Sequence, residues 1–179
     1  MGTPKAWLPA GDETFLGRTV RVVGEVCSPV VVVAADGQEL PLLPAGVAVV
    51  RDAAPDNGPL QGLLAGLTAL LGRCEVAFVA SCDLPGLSPD LVRAVLAGLG
   101  DAAACVPVSG GRDHSLAAAY RLAVSDIVLS LLAGGSRRML DLLAAVPTVR
   151  LPADGWAAEL RNVNTPAEYT AEGDTRRTN

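Results

Sequence analysis

Glu75-Val76-Ala77-Phe78-Val79-Ala80-Ser81-Cys82-Asp83-Leu84-Pro85 is the stretch whose reading decides the fold. Residues 75–81 form a short apolar run with a β-branched and aromatic bias, the signature of a buried strand. An acidic residue follows where the strand ends, and Pro85 then blocks regular continuation. In open α/β sheets ligands gather outside the carboxyl ends of the strands. A carboxylate at such a point can hold a divalent cation through its oxygens. It can equally cap the next turn, and the motif alone is too short to choose between the two.

Outward from this strand the chain alternates strand and helix patterns. Phe15, Leu16, Val20, Val22 and Val23 recur with helical spacing inside 13–25. On that helix Arg18 and Arg21 are expected to face solvent. Strands are predicted at 29–35, which contains four consecutive valines, and at 47–50, which runs into Arg51-Asp52. A helix is predicted from Leu60 to Leu71, opened by Gly58-Pro59, and another after Ser88-Pro89-Asp90. There serine caps, proline takes the first helical position and aspartate complements the positive end. Further strands are expected at 75–81, 102–107, 115–120 and 148–151, and helices at 124–133 and 139–145. Such alternation implies an α/β fold with a mostly parallel sheet and helices on both faces. The 179 residues are long enough for one domain with a sizeable core, taken here as residues 1–172, with a polar tail at 173–179 expected to be disordered.

Composition narrows the function. Half the residues are hydrophobic but only 3% are aromatic, so the core must be aliphatic. A formal charge of −5 argues against a nucleic-acid partner, which calls for a basic face. The four cysteines, Cys27, Cys74, Cys82 and Cys105, form no C-x-x-C pair, and His114 is the sole histidine, so a structural zinc is not expected. With no signal peptide and no membrane-length apolar run, the expectation is a reduced, cytoplasmic protein with no membrane contact. Cys82 reads as a small buried filler, because nothing basic is paired with it in sequence. Trp7 and Trp156 read as packing residues at a rim.

Three more segments sit where ligand loops belong. Asp52 ends a strand. Asp56-Asn57-Gly58-Pro59-Leu60-Gln61-Gly62 leads into a helix with small residues and free N–H groups, suited to an anion or simply to a turn. Asn162-Val163-Asn164-Thr165-Pro166 places two amides on one side of an extended segment. A helix cap would account for only one of them.

Taken in order, Met1-Gly2-Thr3-Pro4-Lys5, Asp52, Gly58-Pro59-Leu60-x-Gly62, Cys82-Asp83-Leu84-Pro85 and Asn162-x-Asn164-Thr165-Pro166 resemble the molybdenum cofactor guanylyltransferases, the MobA-type nucleotidyltransferases. His114-Ser115-Leu116 and Gly135-Ser136-Arg137-Arg138 resemble family segments too. The resemblance implies a three-layer Rossmann-like nucleotidyltransferase fold. It also implies an enzyme that joins GMP from GTP to molybdopterin and releases pyrophosphate, with Mg2+ as cofactor. By motif, Asp83 would bind the magnesium that bridges the phosphates and Lys5 would stabilise phosphate charge. Asp52 would lie near the guanosine, and Gly58, Pro59, Leu60 and Gly62 would shape the nucleotide pocket. Asn162 and Asn164 would face the pterin or the metal. Molybdoenzyme chaperones are the protein partners the resemblance suggests.

The departures from the family are equally specific. The family opens with a strand and a glycine-rich loop, Leu-x-Gly-Gly-x-Ser-x-Arg-Met-Gly, and this sequence starts at the Met-Gly. The expectation is a chain truncated relative to the family, with a gap in the sheet flanked by 29–35 and 75–81. Pro4 stands where the family has aspartate, and Val33-Ala34-Ala35 lacks the asparagine often found there. Leu132-Ala133-Gly134-Gly135-Ser136-Arg137-Arg138-Met139 mimics the loop but follows a helical pattern. Gly134-Gly135 therefore reads as a helix C-terminus, with Arg137 and Arg138 a solvated pair. The alternatives carried are cytidylyl transfer to molybdopterin, nucleotidyl transfer to a sugar or polyol phosphate, and a catalytically impaired binding module.

Overall fold

The protein was analysed as a computed structural model, which describes residues 4–52 and 58–163. After a single 3-10 turn at Lys5–Trp7, a miniature hairpin pairs β1 (Pro9–Ala10) with β2 (Glu13–Thr14). Then follow α1 (Phe15–Gly24), β3 (Val31–Ala35), β4 (Ala48–Asp52), α2 (Pro59–Leu70), β5 (Val76–Ala80) and α3 (Pro89–Ala97). The second half contributes β6 (Ala104–Ser109), β7 (Arg112–Asp113), β8 (Ala117–Arg121), α4 (Ser125–Ala133), α5 (Met139–Ala145) and β9 (Thr148–Pro152). Local chemistry sets these boundaries. The Thr14 hydroxyl accepts from the Gly17 amide and starts α1, and the Ser88 hydroxyl accepts from Leu91 and starts α3. Helix α4 ends at Gly134, and Gly135 takes a left-handed φ of 85°.

The α/β class and the helices on both faces are as the sequence implies. Along β8, Ala118 and Tyr120 point into a core shared with α2, α4 and α5, while Ala117 and Ala119 point into one shared with α3 and the end of α1. Tyr120 is fully buried, and its hydroxyl donates to the Ser115 carbonyl at 2.8 Å. The sheet is mixed rather than mostly parallel. β3 pairs with β4, and β6 with β9, in parallel, but β8 runs antiparallel between β5 and β6. The reason is connection length: residues 110–116 join β6 to β8, and a parallel crossover needs about a dozen or more.

The strands form two separate pieces, β3–β4 and β5–β8–β6–β9, with β7 on β6. Between β3 and β5 lies a slot of about 820 Å3. Its walls are the two strands, its floor Leu16, Val20 and Val23 of α1, and its roof Gly62, Leu63 and Gly66 of α2. Native interiors hold few voids larger than a water molecule. The slot is partly open to solvent and forms the seam between the two sheet pieces.

The seam should be visible in hydrogen exchange. The bond from the Ala48 amide to the Val30 carbonyl, and that from Asp36 to Asp52, fix the β3–β4 ladder so that Val31 and Val33 turn their amides to the slot. The bonds from Leu122 to Glu75 and from Ser81 to Leu116 do the same for Val76, Phe78 and Ala80 of β5. We expect alternating protection, with Val33 and Phe78 exchanging at least tenfold faster than Val32 and Val79. Uniform protection along both strands, read by NMR, would contradict this pairing.

Candidate active site

Asp83 emerges two residues beyond Ser81 at the end of β5, on a loop pinned from several sides. The Val163 amide donates to the Asp83 carbonyl at 2.9 Å, and Arg18 Nε donates to the Pro85 carbonyl at 2.7 Å. Leu84 and Leu87 are buried beneath the loop. Gly86 is held so close to the 157–160 turn that a Cβ would lie 2.8 Å from the Ala158 carbonyl oxygen and 2.9 Å from the Glu159 Cα. The Ser88 hydroxyl donates to Glu159 Oε2 at 2.6 Å and ties the same turn to the start of α3.

This scaffold presents the carboxylate asymmetrically. Asp83 Oδ2 accepts from Asn162 Nδ2 at 3.1 Å and faces Lys5 Nζ at 3.4 Å. Asp83 Oδ1 is buried and has no hydrogen-bond partner. A buried anionic oxygen without a donor costs desolvation energy unless a positive charge sits against it. The orphaned oxygen therefore suits a hard cation, and Mg2+ needs only one or two carboxylates when substrate phosphates complete its shell. Among the described residues there is no cluster of three or more acidic, histidine or cysteine side chains, so a cation at Asp83 would draw most of its ligands from substrate and water. The Cys82 thiol beside it is pushed up from its ordinary range, first by burial and then by the Asp83 charge. It is thus held protonated and unsuited to nucleophilic attack.

A second group of residues lines the slot, which Lys5, Asp83 and Asn162 themselves do not. Asp52 ends β4 almost fully buried, paired in register with Ala35. Gly58 precedes α2 with φ 73°, and a Cβ there would meet the Arg137 carbonyl oxygen at 3.0 Å. Both the backbone angle and this close approach require glycine. Pro59 takes the first position of α2. Asp52, Gly58, Pro59 and Gly62 line the slot. Leu60 does not: its side chain is fully buried with Leu63 and Leu67, so it seats the helix and offers no surface to a ligand.

The structure thus brings Lys5, Asp83 and Asn162 into contact and sets Asp52, Gly58 and Pro59 at the end of the neighbouring strand pair. Asn164 lies outside the described residues, as does the 173–179 tail. Arg18 corrects the sequence reading. It does not simply face solvent but anchors the Asp83 loop, whereas Arg21 is exposed between Glu13 and Glu25. Its position on the flank of α1, one turn before Val22, gave no sequence signal of that contact. Arg137 and Arg138 are exposed, as expected of the glycine-ended helix before them.

Residues 1–148 match the family model described as the MobA-like NTP transferase domain. The chain belongs to the MobA-like NTP transferase family. It is 39% identical over 176 residues to the probable molybdenum cofactor guanylyltransferase of Mycobacterium marinum, covering 96% of this chain and 86% of that protein. Its backbone is similar to that of the molybdopterin-guanine dinucleotide biosynthesis protein A of Archaeoglobus fulgidus, at TM-score 0.77, 17% identity and coverage of 99% of this chain and 93% of that one. The 2-C-methyl-D-erythritol 4-phosphate cytidylyltransferase of Thermus thermophilus superposes equally, at TM-score 0.77, 19% identity and coverage of 99% and 95%. At these identities the two structures speak for the fold alone. As a MobA-like transferase the chain is a nucleotidyltransferase with a Rossmann-like α/β fold. No helix among the described residues is long and apolar enough to cross a membrane.

In this MobA-like chain the pinned loop generates a prediction. Gly86→Ala drives a methyl group into two backbone segments that hold Asp83 and Asn162 in place. We expect a loss of roughly 1–3 kcal/mol, as for other overpacking changes, read as a Tm lowered by several degrees. An unchanged Tm would contradict the close packing of this loop.

Proposed function

We propose that this chain transfers GMP from GTP to molybdopterin and releases pyrophosphate, with Mg2+ held at Asp83. The observation that carries the reading is the buried, unpartnered Asp83 Oδ1 beside Lys5, at the carboxyl end of a sheet strand. Support for the substrates comes from the 39% identical relative, which is named as a probable molybdenum cofactor guanylyltransferase.

In this reading a phosphate oxygen of the pterin substrate attacks the α-phosphorus of GTP. The new P–O bond forms as the bond to the β-phosphate oxygen breaks, and that oxygen leaves with pyrophosphate. Bound magnesium supplies charge neutralisation on the phosphates. Asp83 keeps Oδ1 uncommitted because Asn162 and Lys5 occupy Oδ2. Lys5, attached to a 3-10 turn and partly exposed, can turn its ammonium from Asp83 to a leaving phosphate. Asp52 and the Gly58–Pro59 turn receive the nucleoside end, where the free amides of α2 favour an anion or a polar base edge. No side-chain nucleophile is required. Positioning and charge neutralisation carry the chemistry.

The test is Asp83→Asn, which keeps the shape and removes one anionic oxygen. Outer-shell changes at metal sites cost about 10–100-fold in affinity or activity, so loss of a direct ligand should exceed about 100-fold in magnesium-dependent transfer. Mn2+ affinity should fall in parallel, with Tm within a few degrees of wild type. Running GTP and CTP side by side reads base choice, and GTP is expected to be preferred. Transfer and Mn2+ binding at wild-type levels in Asp83→Asn would overturn the assignment.

A further inference from the structure

At the carboxyl end of β3 the chain turns through Ala35-Asp36-Gly37-Gln38. The Gln38 amide donates to the Ala35 carbonyl at 3.1 Å, and Gly37, third in the turn, takes the positive φ of 69° that a type II turn requires. Asp36, Gly37 and Glu39 are exposed, whereas Gln38 and Leu40 are partly buried. The turn is held from several sides. Arg51 Nη1 donates to the Ala35 carbonyl at 3.1 Å and to the Gln38 carbonyl at 2.7 Å. The Asp36 amide donates to the Asp52 carbonyl at 3.2 Å, and Trp7 Nε1 to the Glu39 carbonyl at 3.2 Å.

The Gln38 side chain folds back on this turn, where its Oε1 accepts from the Ala35 amide at 3.0 Å. Only the oxygen of a carboxamide can accept from a backbone N–H, so this bond decides which end of the amide is which. Nε2 is left as a pair of donors, and among the described residues it meets no acceptor. Gln38 lines the same cavity as Asp52, Gly58 and Pro59, the residues at the nucleoside end of the site.

The bases differ toward such a group. Guanine offers two acceptors, O6 and N7, on one edge. Cytosine offers the N4 amine, a donor, and adenine sets an N6 amine beside N7. A donor whose orientation is fixed matches the first and opposes the amines. We propose that Gln38 is a base-selecting residue, whose Nε2 donates to the O6 and N7 edge of a 6-keto purine and so favours guanine over cytosine and adenine. The inference rests on the nucleotidyl-transfer reading and deepens it, by naming the group that separates GMP transfer from CMP transfer.

The test is equilibrium binding of GTP, ITP, CTP and ATP with Mg2+, read by titration calorimetry on wild type and Gln38→Glu. The glutamate keeps the shape and an oxygen for the Ala35 amide, but replaces the outward donors by an acceptor. One good base-edge contact discriminates by about tenfold or more. Wild type should therefore bind GTP and ITP about tenfold or more tighter than CTP and ATP. Gln38→Glu should weaken GTP and ITP by about tenfold or more and CTP by no more than roughly twofold, so the preference vanishes or reverses. Because the GTP-to-CTP ratio is internal to each variant, a general loss of stability does not move it. Gln38→Met, which removes the donors and adds no charge, should shrink the ratio without reversing it. A ratio unchanged in both variants, with GTP bound by wild type, would overturn the proposal and leave the transfer reading standing. Weakened GTP with unchanged ITP would put the contact on the 2-amino group and overturn it too. Asp83→Asn should lose metal-dependent affinity yet keep the wild-type ratio, so the two assignments fail separately. A wild-type chain that binds none of the four nucleotides would overturn both.

Discussion

The carboxylate of Asp83 has one oxygen committed and one free, and that inequality is the constraint on which the site depends. Asn162 and Lys5 approach Oδ2, and the Val163 amide holds the main chain of the same residue. These contacts join three parts of the chain distant in sequence: the N-terminal turn, the end of β5 and the segment after the last strand. Were the carboxylate free to rotate, both oxygens would be solvated and neither would carry an unmet demand for charge. Because it is fixed and largely buried, the remaining oxygen can be satisfied by a cation. Arg18 and Gly86 act at one remove. The first ties α1 to the Pro85 carbonyl, and the second lets the loop pack against residues 158 and 159 without a side chain between them.

The slot gives the site its second property. Asp83 follows a strand of the larger sheet piece, Asp52 ends a strand of the smaller, and Gly58 and Pro59 open the helix that packs on both. A ligand spanning both groups would be read by two strand ends separated by the slot. The relative position of the two pieces therefore matters as much as any single side chain. Helix α2 packs on β3, β4 and β5 and is the main strut across the seam. Its glycines at 62 and 66 allow that close packing at the expense of helix propensity.

Much of this was legible in the sequence, for identifiable reasons. Ser88-Pro89-Asp90 carries a cap, a rigid first position and a favourable charge, so the start of α3 was readable to the residue. The valines of β3 and the apolar run of β5 announced buried strands, and Asp83 stood out because a charge terminates one of them. The orientation of β8 was not legible, since Ser115–Tyr120 reads the same in either direction and only the short connection from β6 decides it. Leu60 was assigned to the pocket by its place in a motif, whereas its helical phase points it into the core with Leu63 and Leu67. Arg18 was missed because a long side chain on a helix flank reaches a carbonyl 67 positions away, a distance no local pattern encodes. Asn162 was picked as a substrate contact, and its amide is found on Asp83 Oδ2, so its first duty is to orient the carboxylate.

The most direct measurement is paramagnetic broadening by Mn2+ in the presence of GTP, followed on the amide resonances of the wild-type chain. The account predicts saturable broadening centred on Ser81–Leu84, Lys5–Trp7 and Val163, with the effect falling off toward Asp52. Broadening centred on Asp52 and the start of α2, or spread without preference over the acidic surface, would contradict a cation at Asp83.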